Sequence, residues 1–225
     1  RLCQTGPVQP GIVLISDPRD TSTPVIENGD HLVDLRGLAR VRIDTRKSDV
    51  SNAWHLARRG LADRLAAAAL ALPDGLDLLI VEAYRSPARQ LHYWNHYCAQ
   101  LHDHYPDLSP ELLYDLASRW VAPPDVAPHS TGGAVDLTLC DAAGVELDLG
   151  TPLDATPEQS DGACYTDAPL PQPAAANRAV LVHVLRAAGL VNYPTEWWHW
   201  SYGERYWAFS AGADHAVYGP IEALE

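Results

Sequence analysis

The apolar runs of this chain are short and are cut by turn residues. The richest, Leu65 to Leu72, stops at Pro73-Asp74-Gly75, far short of the ~20 apolar residues a membrane-spanning helix needs. A membrane span is thereby excluded, and the chain reads as a succession of small elements. At 225 residues it is long enough for one domain with a substantial core and short for two.

Residues 1–30 are rich in Pro, Gly, Thr and Asp and are expected to form an extended arm, with one strand at Ile12–Ile15. The domain proper is expected over 31–225. Leu32-Val33-Asp34-Leu35 and Val41-Arg42-Ile43 are strand-like, whereas Ala53 to Leu72 is helical, with Leu56, Leu61, Leu65 and Ala68 or Ala69 near one face. Leu78-Leu79-Ile80-Val81 is too short for a helix after such a turn and reads as a buried strand. Pro87 can open a helix running to about His102, and a second helix is expected over Pro110–Trp120. Val135 to Leu139 alternates and is read as a strand. Residues 141–176 are loop-rich, Asn177–Ala188 is a helix closed by Gly189, and Trp197 to Tyr202 belongs to an aromatic strand region. Strands and helices mix without strict βαβ alternation, which points to an α+β fold.

The formal net charge is -13, and so acidic a surface repels phosphate backbones, which makes nucleic acid a poor partner. Cys3, Cys98, Cys140 and Cys164 form no C-x-x-C pair, so no cysteine zinc knuckle can be drawn; bridges and free thiols both stay open. Arginine far outnumbers lysine, which hints at a GC-rich, bacterial genome. The chain begins at Arg1 and has no methionine, so its natural start is expected upstream; a cytoplasmic location is expected, with a secreted or periplasmic one left open.

Two segments carry chemistry. In Pro128-His129-Ser130-Thr131-Gly132-Gly133-Ala134-Val135-Asp136, a loop histidine is joined by a Gly-Gly link, read as flexible, to an aspartate inside an apolar strand. A carboxylate among Ala134, Val135, Leu137 and Leu139 is costly to bury unless a cation compensates it, and His plus carboxylate is half of a zinc site. Strand alternation equally permits that aspartate to face solvent. In Tyr193-Pro194-Thr195-Glu196-Trp197-Trp198-His199-Trp200, a glutamate precedes a histidine by three. His199 offers a third ligand and Glu196 a free carboxylate, the set a catalytic zinc needs to activate water. The bland alternative is a satisfied histidine beside core tryptophans. His92 and His96 are also spaced i, i+4 on a helix, but Tyr93 stands where a zinc-peptidase glutamate would, and surface histidines are the better reading.

His129-x6-Asp136 followed by Glu196-x2-His199, with Tyr84-Arg85-Ser86 upstream, resembles the D-alanyl-D-alanine dipeptidases of the M15 metallopeptidases (VanX-like), over roughly His31 to the end. The resemblance implies a single α+β domain with a central antiparallel sheet flanked by helices, the Hedgehog/DD-peptidase-like fold. It implies one zinc per chain held by His129, Asp136 and His199, Glu196 as general base, and Arg85 as the residue that stabilises the oxyanion. A salt bridge from Arg85 to Glu82 is compatible with that role. Glu82, Asp154 and Lys47 fall near the substrate-binding end. The implied activity is hydrolysis of a small D-amino-acid peptide such as D-Ala-D-Ala, in a cell-wall context.

The pattern departs at the pocket. Ala127 stands where a serine usually precedes the first zinc histidine by two, Glu82 replaces an aspartate, Lys47 stands near a usual tyrosine, and Ser51-Asn52-Ala53-Trp54-His55 replaces the usual aromatic and glycine pattern. These positions read a dipeptide's charged ends, so the reaction type carries further than the substrate. Two other readings stay open: a zinc amide hydrolase or tailoring enzyme acting on a non-peptidoglycan metabolite, and a non-catalytic binding domain. Binding alone needs neither Glu196 nor Arg85.

Overall fold

In the computed structural model, which describes residues 11–221, α1 (Pro18–Thr21) is followed by β1 (Leu32–Asp34), β2 (Val41–Ile43) and β3 (Leu56–Arg58). Then come α2 (Arg59–Leu70), β4 (Leu76–Glu82), α3 (Pro87–His104), α4 (Pro110–Ala117), β5 (Ala134–Asp141) and α5 (Pro157–Ser160). The chain ends with α6 (Ala174–Ala187), β6 (Val191–Asn192), β7 (His199–Ser201) and α7 (Arg205–Ala211). The fold is α+β. A five-stranded sheet runs β2-β4-β5-β7-β6, and β1 pairs with β3 in a separate antiparallel ribbon. Within the large sheet all pairs are antiparallel except the edge pair β2–β4.

The core lies between this sheet and the helices α2 and α6. Leu61, Leu65, Ala68 and Ala69 of α2 and Leu181, Val184 and Leu185 of α6 meet Leu78, Ile80, Leu137 and Leu139 of the central strands, with Trp197, Trp198 and Trp200 completing the cluster. Each large side chain fully withdrawn from water there contributes about 1.5–3 kcal/mol. The turn at Pro73-Asp74-Gly75 forms as expected, with Gly75 in the left-handed region (φ 83°), and Gly189 (φ 84°) closes α6. By contrast α3, although 18 residues long, buries only Gln90. It joins the body through polar contacts and pairs with α4 through Trp94 and Tyr114.

Several expectations are corrected. The helix expected from Ala53 starts only at Arg59, because residues 53–58 find backbone partners elsewhere: Arg58 N–H donates to Gly132 O, Ala83 N–H to Trp54 O and Tyr84 N–H to Leu56 O. An alternating Leu-Ala-Arg segment suits either state, and tertiary pairing decides for the strand. Ile12–Ile15 is not a strand; Leu14 O accepts from Asp17 N–H in a turn leading to α1, and Ile15 packs with Tyr193 and Tyr206. Trp197 and Trp198 precede β7, and β6 and α7 were not anticipated. Cys98, Cys140 and Cys164 are free thiols, while Cys3 lies outside the described residues. No helix among the described residues is long and apolar enough to cross a membrane.

Candidate active site

Sheet register brings the acidic and imidazole groups together. Asp136 on β5 lies directly opposite His199 on β7 and, on its other side, opposite Glu82 on β4. His129 arrives from the 3-10 turn Pro128–Thr131 that precedes β5. Its Nδ1 donates to Ala83 O at 2.7 Å, and its carbonyl accepts from Arg85 N–H at 3.2 Å. The Gly132-Gly133 link is not the flexible joint the sequence suggested. Gly132 is left-handed (φ 71°), and a Cβ on Gly133 would sit 2.7 Å from Tyr202 O. Both glycines are demanded by close packing.

His129 Nε2 and His199 Nδ1 are 3.2 Å apart. Asp136 Oδ2 lies 3.3 Å from His129 Nε2, and its Oδ1 lies 3.0 Å from His199 Nδ1. Ligands about 2.0–2.2 Å from a tetrahedral zinc are about 3.3 Å from one another, the spacing of the two imidazole nitrogens here, while Asp136 turns a different oxygen to each of them. The donation to Ala83 O places a proton on His129 Nδ1 and leaves a lone pair on Nε2, the tautomer a metal requires. All three residues are buried, and they are the one group of three or more potential metal ligands among the described residues. The donor set fits zinc. Burial alone would raise the pKa of Asp136, but the flanking His129 and His199 hold it well below the usual carboxylate range. Burial lowers that of His199 against the pull of Asp136.

Arg85 stands behind the triad. Its Nε and Nη2 donate to the two oxygens of Glu82 at 3.1 and 2.6 Å, and Nη1 donates to Gln90 Oε1 at 2.9 Å. Nη2 is also 3.8 Å from Asp136 Oδ2, and the guanidinium lies 4.9 Å from the Tyr93 ring centroid. The arginine therefore compensates two carboxylates that neighbouring strands place side by side. Burial raises the Glu82 carboxyl, yet Arg85 holds it below its ordinary value. Glu82, expected near the substrate-binding end, is fully buried and bound to Arg85.

A cleft of ≈ 380 Å³ opens over the triad, and His129, Asp136, His199, Glu196, Arg85, Lys47 and Asp154 all line it. Glu196 sits in a turn closed by its N–H donating to Tyr193 O and by His199 N–H donating to Glu196 O. Asn192 Nδ2 donates to both Glu196 O and His199 O at 3.0 Å. Burial, with the nearby Asp136 and Asp154, pushes the Glu196 carboxyl well above its ordinary range. Lys47 is also held above its ordinary value: burial lowers it, but Asp154 outweighs that effect. Ala127 is buried just before the 3-10 turn. His92 and His96 stack on an exposed face of α3.

Gln90 and Tyr93 were missed from the sequence. Gln90 Nε2 donates to Ala122 O at 2.7 Å while its Oε1 holds Arg85, and Tyr93 OH accepts from Arg89. The available signal was their place on the first turns of a helix capped by Ser86 and opened by Pro87 immediately after Arg85.

The model of the peptidase M15 family, described as D-Ala-D-Ala dipeptidase, matches residues 42–214, a span holding the triad, Arg85, Glu196, Lys47 and Asp154. Among curated proteins, the chain is 28% identical over 200 residues to a D-alanyl-D-alanine dipeptidase of Synechocystis sp., covering 75% of this chain and 80% of that one. It is 33% identical over 126 residues to the D-alanyl-D-alanine dipeptidase of Escherichia coli, covering 56% and 55%. Among solved structures, a mutant D,D-pentapeptidase VanY from a VanB-type vancomycin resistance cassette, in complex with Zn(II), aligns with a TM-score of 0.36 at 18% identity, covering 78% of this chain and 92% of VanY.

Proposed function

The chain belongs to the M15 family of D-Ala-D-Ala dipeptidases and is a metallopeptidase, and from that premise we propose that it hydrolyses a small D-amino-acid peptide such as D-Ala-D-Ala with one zinc held by His129, Asp136 and His199. The observation that carries this reading is the buried cluster of His129, Asp136 and His199, whose ligand atoms all lie within 4.8 Å of one another on one wall of a cleft that Glu196 and Arg85 share. When bound, zinc supplies Lewis acidity that makes water acidic and polarises a carbonyl.

Glu196 takes the proton from the attacking water. Its burial supports the role, since a carboxylate with raised proton affinity can accept that proton and later pass it to the leaving amine. Arg85 faces the charge that develops on the carbonyl oxygen. Glu82, Gln90 and Tyr93 fix the guanidinium beforehand, so little reorganisation is needed during reaction. His129, oriented through Ala83 O, keeps a lone pair toward the shared centre.

Purified chain is expected to contain one zinc, and to release D-alanine from D-Ala-D-Ala in a chelator-sensitive way. Glu196→Gln is expected to lower kcat by about 10²–10⁴-fold while retaining zinc by elemental analysis. Undiminished turnover in that variant would refute the mechanism. A second reading, an amide hydrolase acting on a non-peptidoglycan metabolite through the same centre, is favoured by Lys47 in the cleft wall; zinc-dependent turnover of non-peptide amides with none of D-Ala-D-Ala would select it.

A further inference from the structure

Lys47 is the only lysine of the chain, and it lines the cleft. Its Nζ lies 2.6 Å from Asp154 Oδ2 and 5.8 Å from the centroid of the Tyr93 ring. Both ends of the pair are held. Lys47 O accepts from Arg89 Nη1 at 2.9 Å, and that arginine is itself tied to Asp49 at 2.6 Å. Asp154 follows the buried Leu153 and takes a left-handed backbone (φ 68°).

Three described carboxylates line the cleft: Asp136, Asp154 and Glu196. Asp136 faces two imidazoles, and Glu196 is the group assigned to the water. Asp154 is the remaining one that could receive a positively charged substrate end, and Lys47 already occupies it. A free dipeptide carries an ammonium one residue from its scissile bond. Placed in this cleft, that ammonium must displace Lys47 from Asp154 or sit beside a second cation. A substrate whose amine is acylated, as within a longer peptide, brings no such charge and leaves the pair intact.

We propose that Lys47, by pairing with Asp154, is a specificity-determining residue that turns the cleft away from free dipeptides and toward D-alanyl peptides with a blocked amino end. The inference rests on the peptidase reading above, and names the substrate class of the same site. It is a device of exclusion: an unfavourable charge placed against the wrong ligand.

The test compares kcat/KM for D-Ala-D-Ala and N-acetyl-D-Ala-D-Ala. The wild-type chain is expected to favour the acetylated peptide by about tenfold or more, Lys47→Met to reduce that ratio by about tenfold, mainly through a lower KM for the free dipeptide, and Lys47→Arg to keep it. A structural defect would instead slow both peptides alike and leave the ratio unchanged, which overturns the proposal. A wild-type preference for the free dipeptide overturns it regardless of how the variants fold. Calorimetric binding of both peptides to Glu196→Gln reads the same preference without turnover. Hydrolysis of neither peptide would thus defeat the reaction reading, while equal or reversed affinities would defeat the role of Lys47.

Discussion

The guanidinium of Arg85 is gripped by Glu82 through two hydrogen bonds and by Gln90 through a third, with Tyr93 beneath it. Gln90 is the weakest link of that grip and the easiest to remove, because it is neutral and bridges Arg85 to Ala122 O. Gln90→Leu would keep the volume but leave Nη1 and a carbonyl unpaired in a buried place, costing about 1–3 kcal/mol of stability. If Arg85 acts on the transition state, kcat should fall by about tenfold or more with KM little changed; a rise in KM alone would place Arg85 in substrate binding instead. This residue also marks the limit of sequence reading. His129, Asp136, Glu196 and His199 could be read as one set only through the family resemblance, because a buried-looking carboxylate or a histidine beside tryptophans has a bland reading of its own. A glutamine on a helix carries no signal until the arginine beside it has a position.

Among the elements, the pairing of β5 with β7 does most to assemble the centre, since it sets Asp136 opposite His199. The start of β5 is fixed by Gly133, whose N–H donates to Thr131 Oγ1 at 2.9 Å and whose Cα lies against the backbone of Tyr202, just past the end of β7. Gly133→Ala would force a methyl to within 2.7 Å of Tyr202 O. Because that neighbour is backbone, the strands must part, at a cost of about 1–3 kcal/mol. Thermal melting should show the loss, and zinc affinity measured by chelator competition should weaken with it; unchanged affinity would mean that register does not govern the ligand geometry. Elements were legible where local signals agreed. Pro73-Asp74-Gly75, Leu78–Val81 and Gly189 all kept their places, because turn chemistry and apolar runs act over a few residues. The β3 segment misled because its fate depends on Gly132, Tyr84 and the strand β1, partners far away in sequence that no local period encodes. An antiparallel sheet was expected; the parallel β2–β4 edge departs from it, and is equally a matter of distant pairing.

At the scale of the molecule, the segment preceding β1 closes against the C-terminal part of the chain. Val25 bridges Ala216, Glu27 pairs with Arg58 at 3.1 Å and accepts from Gly219 N–H at 2.8 Å, and α1 packs on α7. That last contact buries two carboxyl groups together. Glu204 caps α7 by accepting from Tyr206 and Trp207 N–H, and Asp20 of α1 is buried with Oδ1 unpartnered. Burial, then the neighbouring Glu204, pushes the Asp20 carboxyl up to about 8 from its ordinary 3.8. The folded chain therefore retains a proton that the unfolded chain gives up near pH 4. This contribution to stability is complete below about pH 4, declines by at most about 1.4 kcal/mol per pH unit above it, and is gone once the pH passes about 8. Asp20→Asn keeps the shape and removes the titration. Denaturant unfolding at pH 6, 7, 8 and 9 should show the wild-type chain losing stability to about pH 8, and the variant losing about 2 kcal/mol less than the wild type between pH 6 and pH 8. Parallel curves for the two proteins would mean that the carboxyl is ionised in the fold, and that the contact of α1 with α7 carries no proton.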